Sequence, residues 1–118
     1  MDIDCSVVLP QVMMKLFPSE AQRNEVFMIL SAYGRENFHR EVQRVHLGIL
    51  KISGSDIEKI RRATSLACSD FRDLLVEAEF PLSFGKDKLR ERDPEKYAKH
   101  ERKEQDQYRQ WLAKLLAA

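Results

Sequence analysis

Cys68, His39 and Asp70 are the residues of this chain that could do chemistry if the fold brought them together. A thiol beside an imidazole, with a carboxylate to orient the ring, is the start of nucleophilic catalysis. The chain contains a corner at Ser53-Gly54. If it reverses there, facing residues have numbers that sum to about 107, which sets His39 beside Cys68 and Phe38 beside Ser69. Yet Cys68 shares a helical stripe with Ile57, Ile60, Thr64, Phe71, Leu75 and Ala78. On such a stripe cysteine is a small apolar filler, and a nucleophile needs access and an electropositive setting. The expectation is a core thiol and no catalytic residue.

Glu36 and His39 form one Glu-x-x-His pair. Di-metal bundles use two such pairs and further glutamates, and no second copy occurs. His39, Gln43 and His46 share a face, read as a polar helix surface. No metal or cofactor is expected. Gly-rich phosphate loops, Cys-x-x-Cys, His-Glu-x-x-His and Gly-x-Ser-x-Gly are absent from the sequence.

The stretch KISGSDIEKIRRATS, residues 51–65, has the form of a helix-turn-helix corner. In that motif the first residues of the second helix meet base edges. Here they are Asp56, Ile57 and Glu58, and the acids repel phosphate. Lys59, Arg61 and Arg62 follow a turn later, where they reach only backbone. No sequence-specific DNA reader is expected.

The elements that must position these residues read as all-α, with no segment alternating at period two. Residues 7–16 suggest a short N-terminal helical turn. Ser19 with Gln22 has the capping-box form and opens a helix to about residue 33. Its run VFMIL is apolar all round and predicts the most buried helix. A second helix covers 36–51, with Phe38, Val42, Val45, Ile49 and Ile52 on its inner face. Ser55 with Glu58 then caps the longest helix, 56–79, ended by Pro81. Residues 82–93 form a polar connection. Asp93-Pro94-Glu95 is a strong start signal for a last helix over 94–116. Four main helices plus the N-terminal turn give a bundle-like single domain, 1–118, built on a central antiparallel helical hairpin.

Glu77 and Glu79 sit in the last turn of their helix, where the helix dipole disfavours acids. With Asp70 and Asp73 they form an acidic cluster. Its expected cations are Arg35, Arg40 or the basic loop that starts at Lys86. In the last helix Glu101 and Glu104 occupy positions that burial would make apolar. Tyr108, Trp111, Leu112 and Leu115 restore the stripe, so this helix is expected to dock only by its end.

With 118 residues, 43% hydrophobic and 33% charged, the chain fits one globular domain and not a disordered or membrane one. Net charge of +1 gives no global pull toward nucleic acid or anionic lipid. The start MDIDCSVVLPQVMMKLF has two acids and no basic n-region, so no signal peptide is expected. Two cysteines make no disulfide framework and suit a reducing cytoplasm.

The span GILKISGSDIEKIRRATSLACSDFRDLLVEAEFP, with YRQWL near the end, resembles small uncharacterised bacterial helical proteins. The resemblance implies a bacterial, cytoplasmic setting and transfers no activity. The expected function is a non-catalytic interaction module. Its partner is another protein or a second copy of the chain, and its contacts fall on Lys59, Arg61, Arg62, Tyr108, Trp111 and Leu115. A nucleic-acid-associated regulator using the 51–65 corner is the alternative. An enzyme or metal site at Cys68, His39 and Glu36 comes third.

Overall fold

The computed structural model describes residues 3–81 and 87–117, which form a compact all-helical globule. Seven helices are present among them: α1 Cys5–Leu16, α2 Glu20–Leu30, α3 Val42–Ser53, α4 Ile57–Ser69, α5 Phe71–Glu79, α6 Asp87–Arg92 and α7 Pro94–Ala117. The four main helices expected become seven for three reasons. The N-terminal piece is a full helix of 12 residues that continues through Pro10. The long 56–79 helix is two helices. Part of the 82–93 connection is helical, as α6; residues 82–86 lie outside the described residues.

The break in 56–79 is local chemistry. Asp70 adopts an extended backbone, and its carboxylate accepts from the amides of Arg72 and Asp73 at 3.1 and 3.3 Å. Aspartate is among the best N-cap residues because its oxygen satisfies orphan first-turn donors. It ends α4 and starts α5 in one residue. The straight helix that the expected 107-sum register assumed is therefore broken at Asp70. Cys68, placed on the inner stripe by that register, is exposed. At the start of α4 the cap is Asp56, which accepts from Lys59 N at 3.2 Å. Ser55, the expected cap, instead donates from Oγ to the Leu16 carbonyl at 3.1 Å, tying the corner to α1.

The expected 36–51 helix begins only at Val42. Before it, residues 31–41 make a series of turns around Tyr33. The Tyr33 hydroxyl donates to Arg40 O at 2.7 Å and accepts from Arg40 N at 3.1 Å. His39 stacks on the Tyr33 ring at 4.3 Å, and its Nδ1 accepts from Gly34 N at 2.7 Å. Gly34 has φ +127°, and a Cβ there would meet Val42 Cγ1 at 2.9 Å. Phe38, expected inside, therefore sits in this turn region and is exposed.

The central element is α3, not the helix carrying VFMIL. It buries seven of its 12 residues, from Val45 to Leu50 and Ser53. It packs on α1, α4 and α5, while α2 lies on α4 and α7 on α1 and α5. Gly48 permits the tightest of these contacts: a Cβ there would lie 3.1 Å from Ala78 Cβ and 3.3 Å from Leu74 Cδ1. In α2 only Val26 and Leu30 are buried. Phe27 and Met28 are 64% and 66% exposed, so an apolar run did not mean an all-round buried helix.

The last helix runs as expected from Asp93, which accepts from Lys96 N at 3.0 Å. It docks along more than its end. Tyr108 and Leu112 are buried and Trp111 and Leu115 pack beside them, but Glu104, expected in solvent, is buried too. The cation that accompanies it is Lys51 of α3. Burial holds the Lys51 ammonium below the ordinary lysine value, and the Glu104 charge opposes that shift. Lys51 also lies 5.7 Å from the centre of the Tyr108 ring.

Candidate functional site

The residues that suggested nucleophilic or metal chemistry are not assembled into a site. His39 uses Nδ1 to accept the Gly34 amide, so that nitrogen is unable to take a proton from a thiol. Cys68 is exposed at the end of α4, and Glu36 is exposed in the turns. Among the described residues no group of three or more His, Cys, Asp or Glu side chains could hold a metal ion. His46, on the same predicted face as His39, is buried, with Nε2 2.8 Å from the Tyr33 carbonyl. Burial holds its pKa below the ordinary histidine value.

Lys59, Arg61 and Arg62 are exposed on α4. The Arg61 guanidinium lies 3.5 Å from both Glu25 and Glu58, so part of this basic patch is already neutralised. The acidic cluster divides. Asp70 is a helix cap, and Asp73 and Glu77 are exposed. Glu79 is 2% exposed and takes its cation from α3, not from Arg35 or Arg40. Arg44 Nε donates to Glu79 Oε2 at 2.7 Å and Arg44 Nη2 to Glu79 Oε1 at 2.5 Å. Arg44 Nη1 donates to Glu41 Oε2 at 2.8 Å. This bidentate fork is the strong form of an ion pair. It raises the Arg44 pKa further, chiefly through the hydrogen bonds to Glu79.

The pair forms one wall of a cleft of about 710 Å³. The cleft is framed by the first turns of α1 and α3, the end of α5 and Tyr108 of α7. Ile3, Val42 and Leu47 supply apolar surface, and Asp4, Glu41 and Gln43 supply polar groups. Asp4 caps α1, accepting from Ser6 N at 3.1 Å and Ser6 Oγ at 2.6 Å. Glu41 holds the N-cap position of α3 with a left-handed backbone, φ 49° and ψ 48°, and makes no side-chain cap bond. Cys5 is half-buried in this cleft. Burial first, and then the Glu79 charge, push its thiol up. A protonated thiol is a poor nucleophile, and the charged groups beside it are committed to one another.

Reasoning from sequence missed this cleft. One signal was present: Glu79 stands where the helix dipole opposes it, which calls for a cation. Its partner could not be read, because that depends on where α3 begins and how it crosses α5. Tyr108 was singled out for docking and proves to serve both the core and the cleft. Among the described residues no helix is long and apolar enough to cross a membrane.

No family matches the chain, and no curated protein and no solved structure matches it.

Proposed function

We propose that the protein is a non-catalytic interaction module whose partner is a second copy of the same chain, docked through the solvent face of α2. The observation that carries this reading is the exposure of Phe27 and Met28, two large apolar side chains side by side on one helix. Clustered apolar exposure of this kind marks interaction surfaces. The edge of the same face carries both signs, Glu25 on α2 and Arg61 on α4, 3.5 Å apart. A two-fold contact is self-complementary, so mixed charge at its rim suits a partner of the same sequence. A net charge of +1 adds no repulsion between copies. The exposed Lys59 and Arg62 extend that rim, whereas Tyr108 and Trp111 belong to the fold and not to the contact. A bacterial cytoplasm is the proposed setting, in keeping with the resemblance above and the two free thiols.

Sedimentation of the full chain tests the proposal. The wild type should show a concentration-dependent dimer, and the double variant Phe27→Glu/Met28→Glu should be monomeric with an unchanged helical spectrum. A monomeric wild type at high concentration would overturn it.

A further inference from the structure

Lys59, Arg62 and Leu66 lie on one face of α4, at i, i+3 and i+7. With Ile52 of α3 and Glu77 of α5 they line a hollow of about 240 Å³. A second hollow, of about 390 Å³, adjoins it, shares Leu66 and Glu77, and adds Asp73. The two make one groove along the contact between α4 and α5. Its floor is apolar, since Ile52 and Leu66 are half-buried on the core beneath it.

The charges on this groove are uncommitted. Lys59 and Arg62 stand at one end, Asp73 at the other, and Glu77 on the α5 side between them. All four are exposed. None makes an ion pair with a described residue, and Arg62 and Glu77 stay unpaired although they line the same hollow. Arg61, beside them in sequence, is by contrast held by Glu25 and Glu58. Lys59 and Leu66 are ~10 Å apart along α4, so the groove has room for about two turns of a partner helix.

The sign pattern restricts the partner. Nucleic acid or an anionic membrane would meet Asp73 and Glu77, and a uniformly basic segment would meet Lys59 and Arg62. An uncharged apolar segment would cover these charges without pairing them, which is costly. We propose that the groove docks a short amphipathic helix of another protein, with two bulky apolar side chains over Ile52 and Leu66, acids toward Lys59 and Arg62, and bases toward Asp73 and Glu77. A helix laid in an apolar groove takes its affinity from such anchors, and the flanking charges select the partner and its direction. Lys59 and Arg62 also edge the α2 face, where rim residues keep their contact with water, so the two contacts form independently.

The test is fluorescence anisotropy of the full chain with three labelled synthetic helices of about 12 residues. Each carries two leucine pairs in its middle. One has glutamates at its start and lysines at its end, the second has glutamates at both ends, and the third has lysines at both. The mixed helix should bind saturably below ~100 μM, and the other two at least about tenfold more weakly at low salt. Lys59→Glu/Arg62→Glu makes both ends of the groove acidic and should transfer the preference to the lysine helix. Asp73→Lys/Glu77→Lys should transfer it to the glutamate helix and sediment as wild type does. Phe27→Glu/Met28→Glu should bind the mixed helix as wild type does, which separates this groove from the α2 face. Absence of saturable binding, equal binding of the three helices, or a preference that the charge changes leave in place would overturn the proposal. A shift of Asp73→Lys/Glu77→Lys toward monomer would overturn it in favour of a second copy in the groove.

Discussion

Replacing Arg44 with methionine should be among the most damaging single changes in this protein, and the reason is Glu79. The Glu79 side chain is 2% exposed and is held through both oxygens by Arg44. Removing one partner of a buried pair costs ~3–5 kcal/mol, because the other charge is stranded without water. Arg44 itself keeps 38% of its side-chain exposure, so solvent already screens part of the pair. The lower end, about 3 kcal/mol, is the appropriate figure. That is a large share of the ~5–15 kcal/mol that holds a domain together. For a chain of this size it corresponds to a fall of about 12 °C in melting temperature. The double variant Arg44→Met/Glu79→Met removes the stranded charge as well and should recover most of the loss, since apolar replacement of a buried pair is often neutral or stabilising. Thermal and urea denaturation of wild type, both single variants and the double variant form a complete cycle. The reasoning is refuted if Arg44→Met melts within ~2 °C of wild type, or if the double variant is no more stable than the singles.

Three further outcomes follow from other parts of the fold. Gly48→Ala should lower the melting temperature. Helix propensity favours alanine by ~1 kcal/mol, but the new Cβ meets Ala78 Cβ at 3.1 Å, and that atom moves only if α5 does, so overpacking of ~1–3 kcal/mol prevails; a higher melting temperature would contradict this packing. Burial holds His46 below its ordinary pKa of 6.5, so as pH falls through that value the unfolded chain gains a proton that the folded chain refuses, and stability declines until the folded ring also protonates. Melting curves between about pH 7.5 and 5.5 should show a smaller decline for His46→Gln than for wild type, and identical slopes would remove His46 as the cause. Cys68 should react with a thiol reagent in the native state while Cys5 reacts only on unfolding, because Cys68 is exposed and the Cys5 thiol is half-buried and pushed up; Cys68→Ser should abolish the fast phase.

The helical class and the last helix were legible because their signals are local. Asp93 and Pro94 state a helix start without reference to any other residue, and the stripe from Tyr108 to Leu115 names its own inner face. Ser19 was legible as a cap for the same reason, accepting from Gln22 N at 3.4 Å. The failures all involve a choice between two local signals that only tertiary contact decides. Asp70 sits inside a stripe that continues on both sides of it, and periodicity carried the expected helix straight through. Its capping bonds won, and Cys68 turned outward with the break. Residues 36–41 carry helical spacing, but Tyr33 captures both the amide and the carbonyl of Arg40, which delays α3 to Val42. VFMIL and Glu104 fail in opposite directions. Neighbours cover only one side of α2, and the buried carboxylate of α7 lies within the field of the Lys51 ammonium. Burial in both cases was decided by the facing element.

The cleft depends on the same facing contacts, and this ties it to stability. Its walls come from residues 3–6, 41–44, 47, 79 and 108, so its shape exists only when α1 is docked on α3 and α7 on α1 and α5. Tyr108 is the shared part: its ring is in the core beside Trp111, at 5.6 Å, and the residue also lines the cleft. A ligand that binds only the docked arrangement must stabilise it by mass action, by ~2.7 kcal/mol at a hundredfold excess over its dissociation constant. Arg44→Met should therefore weaken any ligand of the cleft as well as the fold, because Arg44 holds both Glu41 and Glu79 in the cleft wall.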